Sequence, residues 1–129
     1  MLMPATLAIG LSQDIVGDFT RSPTEHIIVQ LERPLVVRSV RGTVSWKDSG
    51  GVAGGIPRAL FEIQGPGANK QIRRAMTDQD GHFRIRHVPL GTYRFKATFH
   101  GFQSVMGEII VRKGAPRASD IQIGMPPGV

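Results

Sequence analysis

A chain of 129 residues and 14.0 kDa has room for one hydrophobic core and not for two. Its 40% hydrophobic and 20% charged residues exclude a disordered chain, while 16 glycines and 9 prolines break the sequence too often for a helical bundle. The absence of cysteine excludes disulfide scaffolds, thiol nucleophiles and cysteine zinc sites, and the formal charge of +6 permits an anionic partner without requiring one.

No apolar run approaches the roughly 20 residues of a membrane-spanning helix. The opening MLMPATLAIGLS is mildly apolar, but it lacks a basic start, Pro4 interrupts it, and no small-residue cleavage site follows before Asp14. It does not read as a secretion signal. Residues 1–25 hold no sustained period and read as an N-terminal arm, flexible or ordered by a partner, ahead of a single domain over 26–129. Branched residues then predict strands over His26–Leu31 and Leu35–Trp46, separated by Pro34, which cannot donate to a ladder.

The glycine-rich 47–57 reads as a loop. A strand follows at Ala59–Gln64, then the loop 65–69. Gln71–Thr77 and His82–Val88 read as a hairpin closed by Asp78-Gln79-Asp80-Gly81, in which Asp78 accepts backbone N–H bonds and Gly81 supplies positive φ. Pro89-Leu90-Gly91 makes a second sharp connection. Tyr93, Phe95, Ala97 and Phe99 alternate with Arg94, Lys96, Thr98 and His100, as in a half-buried strand. Glu108–Arg112 and Asp120–Met125 complete seven to eight short strands, an all-β antiparallel sandwich. Its predicted core is Val40, Val44, Leu60 or Phe61, Ile63, Ile72 or Met76, Phe83, Ile85, Tyr93, Phe95, Phe99, Ile109 and Val111.

The segments Val40-Arg41-Gly42-Thr43-Val44 and Gly55-Ile56-Pro57-Arg58-Ala59, then Thr77–Ile85, Val88–Phe95 and His100-Gly101-Phe102, carry a recognisable order. They read as G-x-V, G-x-P-x-x-A, T-D-x-x-G-x-F, a hydrophobic-P-x-G-x-Y run and G-F. In this the chain resembles carboxypeptidase regulatory-like domains over about residues 40–111. The resemblance implies a transthyretin-like Greek-key sandwich and a non-catalytic module, and it favours an extracellular or cell-envelope setting. The motifs are architectural, so they transfer a fold more readily than an activity. The related hydroxyisourate hydrolases end in Tyr-Arg-Gly-Ser, whereas this chain ends Gly-Met-Pro-Pro-Gly-Val. Isopeptide-forming adhesin domains need a lysine and an asparagine in register; Lys47 is a candidate, but Asp120–Met125 offers no asparagine and Asn69 lies in a loop.

Asp78 and Asp80 superficially resemble the start of a calcium loop, but strand residues Phe83 and Ile85 follow where further oxygen ligands are needed. His26, His82, His87 and His100 lack metal-ligand spacing, and no serine sits on a nucleophile elbow. No catalytic residue, metal site or cofactor is therefore expected. Three binding features remain. Arg73, Arg74, Arg84, Arg86, Arg94 and Lys96 would form an anion-binding face if their strands share a sheet surface. Phe83, Tyr93, Phe95 and Phe99 point the other way, which argues against nucleic acid. Trp46 is expected at the edge of the core, with sugar stacking as the alternative if it is exposed. His26, Ile27, Ile28, Val29, Gln30 and Leu31 form a candidate assembly strand. The expected function is a structural or assembly module contacting protein, including copies of itself, through arm and sheet edges. The alternative is an accessory module for carbohydrate or another anionic polymer.

Overall fold

In a computed structural model describing residues 19–65, 71–116 and 120–128, every regular element is a strand. The strands are β1 (Val29–Gln30), β2 (Leu35–Val37), β3 (Val40–Asp48), β4 (Gly51–Gly55), β5 (Leu60–Gln64), β6 (Ile72–Met76), β7 (His82–Ile85), β8 (Gly91–Thr98), β9 (Val105–Val111) and β10 (Ile121–Met125). One sheet runs β1-β9-β8-β5-β6, with β2 also on β9; the other runs β10-β3-β4, with β7 also on β3.

The sandwich is therefore as expected, with more strands and with mixed sheets. β1 and β2 pair parallel to β9, and β10 parallel to β3. β1 and β2 are one broken strand: Val29 faces Val105 and Leu35 faces Ile109, so six residues answer four, and the excess is looped out around Pro34. The candidate assembly strand is thus used within the molecule, where the Val29 and Leu31 amides donate to the carbonyls of Ser104 and Met106 at 2.8 Å.

Alternation fills the interior. Val40, Val44, Phe61, Ile63, Phe83, Ile85, Tyr93, Phe95, Ile109 and Val111 are buried as expected, and Phe61 stacks on Phe83 with ring centroids 4.1 Å apart. Met76 points outward and is largely exposed, because its register partner is Leu60 on the outer side of β5. Ala59, Ala97, Ile121, Ile123 and Met125 join the core.

Two expectations change. Residues 47–57 are not all loop: β3 continues to Asp48 and the glycines form β4, an edge strand held by backbone bonds alone. The turn at 78–81 is real, but β6 pairs with β5 while β7 pairs with β3, so it is a corner between the sheets and not a hairpin. Asp78 Oδ1 accepts the amides of Asp80 and His82 at 2.9 Å, and Gly81 sits at φ 83. A Cβ there would lie 2.5 Å from the Val44 carbonyl and 2.8 Å from Gly55 Cα, so only glycine lets the corner close on β3 and β4. Below it the buried Thr77 hydroxyl donates to the Ile56 carbonyl at 2.6 Å and accepts the Ala59 amide at 2.7 Å. At the second sharp connection Gly91 also has positive φ, and the Tyr93 hydroxyl donates to the Pro89 carbonyl at 2.6 Å.

Candidate functional site

The six cations expected on one face divide between two sheets, because β7 belongs to the second sheet and β6 and β8 to the first. Lys96 is not on a solvated face. It is 0% exposed, and its ammonium lies 3.0 Å from Glu25. Arg74 bonds the buried Glu62 at 2.6 Å, and Glu62 also accepts the Thr20 amide and hydroxyl at 2.9 and 3.1 Å. Glu62 and Lys96 are register partners, so the outer side of the first sheet carries a row of charges. Phe19–Glu25 lies across that row: Phe19 is buried, Ser22 is bonded through its amide to Glu25, and the Thr24 hydroxyl accepts the Gly101 amide at 2.7 Å. A strand that alternates apolar with charged residues is thus buried on both sides. Residues 19–25, expected in a flexible or partner-ordered arm, dock on the chain's own sheet; residues 1–18, with the rest of that arm, lie outside the described residues.

Arg73 is also committed. It turns around the sandwich edge and donates to the carbonyls of Arg86 and His87 at 2.5 and 3.1 Å. Arg94 is half-buried on β8, where it faces Glu108 across the ladder. Of the six, only Arg84 and Arg86 are exposed with side chains that have no ion-pair or hydrogen-bond partner among the described residues. They meet two arginines that sequence reasoning left aside. Arg84 is the register partner of Arg41, which bonds Asp120 at 3.1 Å. Arg38, Ser39, Arg84, Arg86 and His87 line a groove of about 340 Å³ at the β3–β7 end of the second sheet. The signal existed in the strand alternation of 38–44, but joining it to 84–87 requires the β3–β7 pairing, a contact between distant stretches of sequence.

Other candidates resolve simply. Asp78, Asp80 and His82 offer ligand atoms within 4.8 Å of one another, all exposed. The Asp78 carboxylate is occupied by backbone: the amide bonds from His82 and Asp80 hold its pKa below the ordinary carboxylate value. It is the hinge of the corner. His26, His82, His87 and His100 are all exposed and lie at separate ends of the chain's surface elements. Trp46 is 40% exposed on β3 beside Gly54, so it forms part of a rim and not of the core. Val52 of β4, the register partner of Lys47, is 68% exposed, and β4 pairs among the described residues only with β3. No helix among the described residues is long and apolar enough to cross a membrane.

Two sheets packed on a side-chain-filled interior, with the turn chemistry spent on corners, define a β-sandwich domain. The chain belongs to the carboxypeptidase regulatory-like domains: the family model matches residues 39–124, two thirds of its length, from the start of β3 nearly to the end of β10. That family is non-catalytic. The N-terminal segment that covers the first sheet lies outside the match. No curated protein matches the chain.

Proposed function

We propose that this chain is a non-catalytic assembly module that takes on a protein partner, including a second copy of itself, by strand addition along the outer edge of β4. The observation that carries this reading is the state of that edge. Sheet edges are normally guarded by lysine, proline, bulges or a covering segment. Here the first sheet's β9 edge is covered by β1 and β2, whereas Val52–Gly55 is exposed and contains no charge or proline, and the one register shift in its pairing with β3 falls at Ser45–Lys47. A glycine-rich strand also gives an incoming backbone close access, and main-chain bonds then supply affinity. The arm is the weaker handle for contacts between molecules, since 19–31 is already engaged within its own sheet.

The test is a photo-cross-linking residue at Ala53, with a control at exposed Arg21, combined with light scattering over a range of concentrations. Adducts at position 53 alone, lost when Val52→Lys places a charge on the edge, support the reading. A monomer at every concentration that yields no adduct at position 53 in its native extract removes it.

A further inference from the structure

We infer that the groove between β3 and β7 is an anion-binding site for a linear acidic polysaccharide, held by Arg84 and Arg86 with Arg38 and His87 at its end. Charge is the first argument. The lining holds three arginines, Arg38, Arg84 and Arg86, with His87 and no acidic residue, and Arg73 adds a fourth guanidinium through its bonds to the Arg86 and His87 carbonyls. Arg38 is steered by a bond from Nε to the Ala115 carbonyl at 2.6 Å, and its outer nitrogens have no partner among the described residues.

The second argument is that the fold gains nothing from this arrangement. Arg41 and Arg84 are directly opposed across the ladder, and like charges so placed destabilise a sheet. Among the described residues only Arg41 of the two is in an ion pair with a carboxylate. Two cations of the first sheet, by contrast, are answered within the molecule: Arg74 by Glu62 and Lys96 by Glu25. Arg84 and Arg86 are left to an external anion, which guanidinium groups bind in bidentate fashion.

The third argument concerns the kind of anion. Arg84 lies on β7 and Arg86 one residue past its end, and two residues of near-extended chain separate them by about 7 Å, enough to reach separate charged groups on an extended polymer. No Phe, Tyr or Trp is among the lining residues, so the groove lacks the aromatic platforms typical of base-stacking surfaces. Carboxylate or sulfate groups on a sugar chain fit a surface that offers charge and hydrogen bonds alone.

The test is calorimetric titration of the full chain at physiological ionic strength with a size-defined dextran sulfate, a polyuronate oligomer and single-stranded oligothymidylate. The expected result is binding of an acidic glycan that Arg84→Gln/Arg86→Gln weakens about tenfold or more, equivalent to about 1.4 kcal/mol. Arg33→Gln/Arg58→Gln removes the same net charge from other exposed positions and is expected to leave affinity within about twofold. Both variants should melt at or near the parent temperature, since neither pair of side chains is buried. No glycan binding, equal losses in the two variants, or tighter binding of oligothymidylate would each overturn the inference.

Discussion

The buried pair of Lys96 and Glu25 allows a quantitative test of whether the N-terminal segment is part of the domain. Lys96 is fully enclosed, its ammonium is 3.0 Å from a Glu25 side chain that is itself only 8% exposed, and its register partner Glu62 carries a second buried charge. Removing one member of such a pair leaves the other charge desolvated and uncompensated, at a cost of about 3–5 kcal/mol. Lys96→Met keeps most of the aliphatic stem, so the loss should be chiefly electrostatic and near the lower end, about 3 kcal/mol. Glu25→Gln should cost somewhat less, because the amide oxygen still accepts a bond. Combining the two should be milder than their sum by about 1–2 kcal/mol, the coupling expected of groups in direct contact. For a domain of this length about 3 kcal/mol corresponds to roughly 10 °C in Tm. Urea denaturation followed by circular dichroism gives all four corners of the cycle, and constant slopes show that only stability changed. If Lys96→Met costs less than about 1 kcal/mol, or the two substitutions add without coupling, Phe19–Glu25 does not seal the first sheet and the reasoning fails.

Other consequences follow from the corner between β6 and β7. Gly81→Val would force a branched side chain into φ 83 with its Cβ 2.5 Å from the Val44 carbonyl; a loss of at least about 3 kcal/mol, or failure to fold, is expected in thermal melts. Thr77→Val keeps the shape but strands the Ile56 carbonyl and the Ala59 amide, for a loss of about 2–4 kcal/mol by urea titration. Asp78 has its pKa lowered in the folded state by backbone N–H bonds, so its contribution is fully present above the ordinary value of 3.8 and is lost as pH falls through the lower folded value. The stability difference between the parent and Asp78→Asn should therefore shrink on acidification below about pH 4; a difference unchanged by acid would contradict the bonding at the corner.

The sandwich was legible in the sequence because its evidence is local. Alternation at Val40–Val44, Phe83–Ile85 and Tyr93–Phe99 reports one buried side per strand, and Asp78 and Gly81 report a turn by their own backbone preferences. What those signals cannot carry is which strands become neighbours. Asp78–Gly81 reads the same whether the strands beside it pair or part, so the corner resembles a hairpin, and whether the cations of residues 73–96 share one face is not legible. Lys96 and Glu62 look like solvated positions because alternation describes one covered side; the second cover is Phe19–Glu25, a stretch without periodicity of its own. Gly51–Gly55 forms a strand against its composition because pairing to β3 supplies backbone bonds that need no side chain.

Hydrogen exchange followed residue by residue, in dilute solution, most directly measures how the chain distributes its contacts. Protection at the Thr20, Val29 and Leu31 amides, independent of protein concentration, is the predicted result, since their acceptors are Glu62, Ser104 and Met106 of the same molecule. Rapid exchange at these three positions, or protection that appears only as concentration rises, would mean that the segment serves other molecules, and the assignment of outward contacts to β4 and the arginine groove would be contradicted.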